Sequence, residues 1–593
     1  MNLRADHIYR TFLRLTRRLS NSQIMMLLAV VVGVLAGVGT YLFEMLLYGI
    51  KYGLTNWFPV DSAHILFLIY PAVGIILATL FVKYIVRDNI SEGVTRVLYA
   101  MSRRNSRIAR HNCWTSIVGG ATTIGFGGSV GPEAPIVLTG AAIGSNIGRL
   151  ARLNYKHTTL LLCCGAGAAL AAIFKAPITG VVFVLEILML DITAGSVIPL
   201  LIASITATTM AFMLRGFDPI LAVTLAPADA FELWQIPLFI LLGVLCGLMA
   251  WYFTSMNSRV GGFFKSIDKQ YKKWLWGGAI LGILIFVFPP LYGEGYEGFT
   301  SLMHGNAQEL FNNSLFYRFR DIDWVIILFV IATMFFKVIA MSTTNAAGGV
   351  GGTFAPSLFV GAFTGASLAL VCNTLFGWEV SIVSFTLVGM AGVMSGVMNA
   401  PLTSIFLIAE LSNGYGLFIP LMITACISFA VDYYLDPDSI YTKQLRQKGE
   451  LLTHDKDQSV FVFLKLEELM ETDFLRIKEN MTLGDIVHII STARRNIFPV
   501  IDNFGRLIGV VQLDDLREDM FKHEKYGHPI SDYMIPPPDK IIEHEAILSV
   551  MEKFEDKHAW MLPVVDKQGR YLGFISKSRI LNAYREQLVK IQQ

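Results

Sequence analysis

Charge is scarce in this chain. Only 16% of its 593 residues are Asp, Glu, Lys or Arg, 54% are hydrophobic, and mean hydropathy is +0.53, a balance that excludes an ordinary soluble globular protein. The shortage is local, because 45 of the 94 charged residues fall in the last 148 positions. Net charge is only +2, and no basic tract or aromatic-interleaved stripe compensates, so nucleic acid is excluded as a partner. The six cysteines (Cys113, Cys163, Cys164, Cys246, Cys372 and Cys426) avoid the tail and form no C-x-x-C pair. They are expected to be free core thiols, with neither a disulfide framework nor a metal site. Histidine is missing from the centres of the apolar runs: His64, His111, His157 and His304 all flank them, and no H-E-x-x-H occurs.

What is present is a long series of apolar runs ahead of residue 446, enough for roughly ten membrane crossings at ~20 residues each. Arg4, Arg10, Arg14, Arg17 and Arg18 precede the first run, a flank expected of a cytoplasmic start and not of a cleaved signal. Arg103, Arg104, Arg107 and Arg110 mark a second cytoplasmic loop. The expected organisation is a cytoplasmic segment (1–22), a multi-pass all-α membrane domain (23–445) and a soluble cytoplasmic tail (446–593).

Two runs are broken by Gly and Pro, at GFGGSVGPEAP (125–135) and AAGGVGGTFAP (346–356). Interrupted backbone survives in lipid only where protein buries it or a polar cavity receives it. The breaks repeat. GGSVGPEAP (127–135) superposes on GGVGGTFAP (348–356) at an offset of 221, with five of nine positions identical. Ala176-Pro177-Ile178-Thr179 and Glu186 match Ala400-Pro401-Leu402-Thr403 and Glu410 at an offset of 224. Two related halves, each with a broken helix at an equivalent place, point to a midplane site between repeats. Whether the halves run parallel or inverted is left open by this pattern. The tail is duplicated too: PVIDNFGRLIGVV (499–511) matches PVVDKQGRYLGFI (563–575) at an offset of 64. Each copy reads as strand, Asp/Gly turn, strand and helix, and Ile535-Pro536-Pro537-Pro538 connects them.

Gly131-Pro132 and Gly352-Thr353 stand before apolar helical stretches, where unpaired N–H groups and the helix dipole attract an anion. Two such ends would hold an anion without the full positive charge that would trap it. The competing reading is close helix packing through small residues. Glu133 lies just past the first break, inside an apolar stretch where a carboxylate is expensive and by default functional. Ionised, it can occupy the anion site; protonated, it vacates it, which makes a pH-linked gate. A carboxylate facing a vestibule with structural partners is the alternative. Glu186 and Glu410 read best as helix-end carboxylates at the water boundary.

On these residues the chain resembles the CLC chloride channel and transporter family. GGSVGPEAPIVLTGAAIG is similar to the family's gating-helix signature, whose usual form is G-[K/R]-E-G-P, and Gly352-Thr353-Phe354-Ala355-Pro356 fits its G-x-F-x-P motif. Tyr441 falls where the family places a tyrosine whose hydroxyl contacts the central chloride, and the duplicated tail resembles paired CBS domains (about 467–522 and 531–588). The resemblance implies an inverted-repeat CLC membrane fold with an α/β CBS pair, and a homodimer with one pore per subunit. It further implies a place in a bacterial inner membrane with both termini cytoplasmic. The implied chloride contacts are Tyr441, Thr353, Gly131 and the backbone N–H of Phe354.

The sequence also departs from the family pattern. Pro132 and Ala134 replace the residues that usually flank the gating glutamate. The G-S-G-I-P motif is degraded at Ser91-Glu92-Gly93-Val94-Thr95, so that either Ser91 or Glu92 lies at the anion site. The family's inner proton-relaying glutamate is replaced by Ile187. An isoleucine carries no proton, so the expected function is passive chloride conduction gated by Glu133, with proton-coupled chloride antiport as the alternative and fluoride or divalent-cation transport more remote. In the tail, Asp515 and Ser576 each keep half of an adenine-nucleotide pattern, so that dimer-stabilising packing is expected ahead of nucleotide binding, and no other cofactor is implied. Gly127-Gly128-Ser129-Val130-Gly131 matches the G-x-S-x-G nucleophile pattern. With no base in reach, and Val350 and Gly351 in the repeated frame, no enzyme is expected.

Overall fold

The apolar runs fold as helices because a helix pairs its own backbone groups where lipid offers no partner. Eight helices among the described residues are long and apolar enough to cross a membrane. The computed structural model describes residues 19–56, 65–88, 90–91, 93–190, 193–217, 231–412, 414–443, 464 and 466–592. Arg4, Arg10, Arg14, Arg17, Arg18 and Glu92 lie outside these residues. The chain separates into two units, Met1–Leu451 and Leu452–Gln593.

In the first unit one half comprises α1 (Asn21–Thr55), α2 (Tyr70–Leu80), α3 (Gly93–Arg103), α4 (Asn112–Gly125), α5 (Glu133–Leu150), α6 (Tyr155–Phe174), α7 (Pro177–Glu186) and α8 (Ala194–Arg215). The other comprises α9 (Ile236–Lys265), α10 (Gln270–Val287), α11 (Tyr296–Met303), α12 (Asp323–Ala347), α13 (Phe354–Phe376), α14 (Ile382–Met398), α15 (Pro401–Leu411) and α16 (Phe418–Leu435). The duplication is three-dimensional and runs from α4–α8 to α12–α16. In the first half, a Cβ on Gly140 would lie 2.1 Å from the Gly165 carbonyl oxygen, and one on Gly144 would lie 1.9 Å from that of Leu161. Their counterparts Gly361 and Gly365 meet the carbonyls of Gly389 and Phe385 at 2.3 and 1.8 Å. Only glycine lets α5 seat on α6, and α13 on α14, at this separation. Lys175 and Asn399, which end α6 and α14 in the left-handed conformation (φ 53° and 52°), are likewise equivalent.

The halves join at the breaks. Gly131 donates its N–H to the Gly352 carbonyl at 2.9 Å and Gly352 returns the bond to Gly131 at 2.7 Å, an antiparallel pairing. Ser129 N–H donates to Thr344 Oγ1 at 3.2 Å, and Val350 N–H donates to Thr123 Oγ1 at 3.0 Å. Each bond is the other's image under exchange of the halves, so a two-fold axis relates the halves where they meet. Ser129, the residue of the nucleophile-like pattern, is one strut of this junction.

The second unit holds two copies of a three-stranded sheet. In the first, β1 (Ile477–Lys478) pairs parallel with β2 (Ile497–Ile501), which pairs antiparallel with β3 (Leu507–Gln512); α17 (Leu483–Thr492) precedes β2. The second repeats this with β4 (Ile541–Ile542), α18 (Ile547–Asp556), β5 (Met561–Val565), β6 (Tyr571–Ser576) and the closing α19 (Lys577–Gln592). Asp502 and Asp566 hold the equivalent turns: each carboxylate accepts two backbone N–H bonds, from Phe504 and Arg506 and from Gln568 and Arg570.

Candidate functional site

The junction brings the N-termini of α5 and α13 together, with Glu133 as the first residue of α5. Its side chain crosses to the other half. One carboxylate oxygen accepts the N–H of Phe354 at 2.6 Å and of Ala355 at 3.1 Å, while the other has no partner. The residue is 1% exposed. A carboxylate so placed occupies the position an anion would take on the first turn of α13, where unpaired N–H groups and the dipole favour negative charge. The occupant is tethered, so a free anion and Glu133 compete for the same donors. Gly352 makes the crossing feasible, since a Cβ there would stand 2.3 Å from Glu133 Oε1. The Phe354 ring stacks on Phe174 with centroids 5.4 Å apart, so Phe354 offers only its N–H to the site.

Tyr441 and Thr353 meet at this place. Thr353 Oγ1 lies 3.5 Å from the buried Tyr441 hydroxyl. Both line a cavity of about 420 Å³ that also touches Ser91, Ala134, Gly352 and Lys443. Ser91 is therefore brought to the site, and Gly131 lies beside it through its pairing with Gly352. Ile187 is buried at the end of α7.

Glu186 and Glu410 form a reciprocal pair of caps. Glu410 accepts the N–H groups of Ile178 (2.9 Å) and Thr179 (2.8 Å) at the start of α7, and Glu186 accepts those of Leu402 (3.1 Å) and Thr403 (2.7 Å) at the start of α15. Each carboxylate also takes the hydroxyl of the capped threonine.

The sequence reading passed over four charged residues. Lys337 is fully buried in α12, donates to the Gly293 carbonyl at 2.9 Å and lies 4.9 Å from the centre of the Phe359 ring. Glu44, paired with Arg215, and Glu294 line a second cavity, of about 210 Å³, that also touches Lys51, Pro132 and Tyr296. Asp432 is 1% exposed in α16. Glu44, Lys337 and Asp432 carried the same signal as Glu133, a lone charge inside an apolar run.

In the tail, Ser576 is buried. Its hydroxyl donates to Glu471 at 2.8 Å and accepts the Arg579 N–H at 3.3 Å, while Asp515 is exposed.

The fold and this junction define a class: a membrane protein of two inverted repeats whose broken helices meet at a site suited to an anion. The chain belongs to the voltage gated chloride channel family, whose sequence profile matches residues 73–433, and CBS domain profiles match residues 466–522 and 530–586. It is 28% identical over 419 residues to an H(+)/Cl(-) exchange transporter ClcA of Vibrio vulnificus, covering 67% of this chain and 84% of that protein. It is 26% identical over 389 residues to a putative chloride channel protein ClcB-like of Ralstonia nicotianae, covering 65% and 86%. Among solved structures it resembles a slow cyanobacterial Cl-/H+ antiporter (TM-score 0.60, 23% identity, covering 72% of this chain and 97% of that one). It also resembles a eukaryotic CLC transporter (TM-score 0.60, 16% identity, covering 94% and 99%).

Proposed function

We propose that this protein exchanges chloride for protons across a membrane, with Glu133 as the group that couples them. The observation that carries this reading is the seat of the Glu133 carboxylate on the Phe354 and Ala355 N–H groups. Chloride enters that seat when the carboxylate leaves it. Leaving is easiest when the carboxylate is protonated, because the neutral acid loses its charge-assisted hydrogen bonds. Each anion admitted is thereby tied to a proton taken up. Phe354 and Thr353 supply backbone donors, Gly131 holds the break in place through its own N–H bond to the Gly352 carbonyl, and Tyr441 and Ser91 supply hydroxyls toward the cavity that they line. The exchange transporter from Vibrio and the cyanobacterial antiporter support antiport over the passive conduction that the loss of an acid at Ile187 suggests. A homodimer in a bacterial inner membrane with both termini cytoplasmic is part of the same reading.

The purified protein in liposomes, under a chloride gradient at clamped voltage with external pH recorded, tests it. Chloride movement should drive protons uphill, and Glu133→Gln should carry chloride with no coupled proton. Rapid chloride efflux from the wild type without proton movement would instead establish a passive channel gated by Glu133, the reading that Ile187 favours.

A further inference from the structure

A second protonatable group near the cavity of Tyr441 would give protons a route apart from the anion, and Ile187 is not one. Glu186 beside it is committed, since both of its oxygens hold the N-terminus of α15. Asp432 is different. It lies in the last turn of α16, nine residues before Tyr441, and is 1% exposed; its Oδ1 is buried with no hydrogen-bond partner. One turn earlier on the same face, Ser428 also buries a hydroxyl with no partner. Both side chains face Gly396 of α14, where an added Cβ would lie 3.2 Å from Ser428 Oγ and 3.3 Å from Asp432 Cβ. Two adjacent unpartnered polar groups in a buried place are what a water molecule satisfies.

The fold itself does not require an acid here. Ile198-Pro199-Leu200 of α8 matches Ile419-Pro420-Leu421 of α16. The contacts agree with that register: Gly37 packs on Met210 Cβ and the Ala207 carbonyl, as Gly247 packs on Val431 Cβ and the Ser428 carbonyl. In this register the counterparts of Asp432 and Ser428 are Ala211 and Ala207, both buried. The repeat thus accommodates a small apolar side chain at the place where this half carries a carboxylate, and an intramembrane carboxylate with an unused oxygen is expensive unless it acts.

Its surroundings connect it to the inner cavity. The Gly396 site also abuts Ala250 of α9, one turn from Thr254, which lines that cavity. The charged groups near Asp432 are Asp436 and Lys443, which pair with each other, and Lys443 lines the cavity with Tyr441.

We propose that Asp432 is a second proton site of this protein, taking the part that an acid at Ile187 would otherwise play. It accepts a proton from water on the side of Lys443 and passes it through bound water toward Glu133, apart from the path of the anion. The inference rests on the exchange reading above. It is tested by the same liposome measurement on the full chain with Asp432→Asn, Asp432→Ala and Asp432→Glu. The two neutral variants are expected to keep moving chloride while chloride-driven uphill proton movement falls at least tenfold, and Asp432→Glu is expected to retain coupling. Neutral variants that couple as the wild type does would overturn the assignment and leave antiport intact. Failure of both to yield folded, chloride-conducting protein would make the acid structural and overturn it as well. A wild type that moves chloride without protons would remove the exchange reading itself, and this inference with it.

Discussion

Replacing Glu133 by Gln should tighten chloride binding and abolish its dependence on pH. In the wild type, chloride must displace a tethered carboxylate bonded to Phe354 N–H at 2.6 Å and Ala355 N–H at 3.1 Å. Hydrogen bonds to a charged acceptor contribute about 1.5–3 kcal/mol each and neutral ones about 1. A glutamine in the same seat is therefore a weaker competitor by about 1–4 kcal/mol over the two bonds. That difference corresponds to a chloride Kd lowered roughly five-fold at the low end and several hundred-fold at the high end. The sign of the pH effect follows from which form competes. At high pH the ionised carboxylate holds the seat and chloride binds weakly; as pH falls, protonation releases it, so the wild-type Kd falls and binding takes up protons. Calorimetric titration of chloride into purified protein at several pH values, in buffers of different ionisation enthalpy, reads both quantities. A Glu133→Gln protein whose Kd lies within about three-fold of the wild type, or shifts with pH as the wild type does, would refute the competition argument.

Gly352→Ala should weaken chloride binding and flatten its pH dependence, because its Cβ would stand 2.3 Å from Glu133 Oε1 and exclude both the carboxylate and the anion that shares its seat; chloride titration that keeps the wild-type Kd and pH slope would show that neither need sit there. In the tail, the Asp519 carboxyl is held down at about 2, chiefly by the Lys525 ammonium at 2.7 Å, with Lys522 and the Tyr533 hydroxyl adding to it. A depressed carboxyl stabilises the fold above the ordinary Asp value of about 3.9 and loses that contribution as pH falls toward its folded value. Hydrogen exchange over residues 513–533, corrected for intrinsic rate, should lose protection between pH ~4 and ~2. Asp519→Asn should be less protected already at pH 5 and show no further loss through this mechanism.

Much of this architecture was legible because membranes make certain residues costly. The partition of charge separated the two units, and the Gly/Pro breaks located the junction. Glu133 identified itself as a carboxylate inside an apolar run. The orientation of the repeats was not legible, since matched residues carry no direction; the exchange between Gly131 and Gly352 gives the two-fold axis, and the likeness to solved CLC structures gives the inverted fold. Glu186 and Glu410 read correctly as helix-end carboxylates, but that each caps a helix of the other half is a contact more than 200 positions apart, with no local signature. Lys337 and Asp432 carry the same signal of a lone charge in an apolar run, but neither stands beside a Gly/Pro break or a repeated motif that would set it apart. The choice between Ser91 and Glu92 is informed from one side: Ser91 lines the inner cavity, while Glu92 lies outside the described residues.

The repeat separates the scaffold of the site from the acids that the exchange reading uses. Exchange of the halves turns each structural contact into its partner: Gly131 into Gly352, Ser129 into Val350, and the Glu186 cap into the Glu410 cap. The groups that can carry protons break the symmetry. The equivalent of Glu133 is Phe354, whose ring is wall and whose N–H is a donor, and the equivalent of Asp432 is Ala211. A symmetric scaffold fixes the donors rigidly, so the cradle costs little to reorganise when its occupant changes. In the exchange reading proposed above, the two acids have separate parts: Glu133 competes with the anion inside the cradle, and Asp432 stands clear of it. Buried Lys337 donates to the Gly293 carbonyl and gives no donor to the Glu133 seat, which is made of the Phe354 and Ala355 N–H groups.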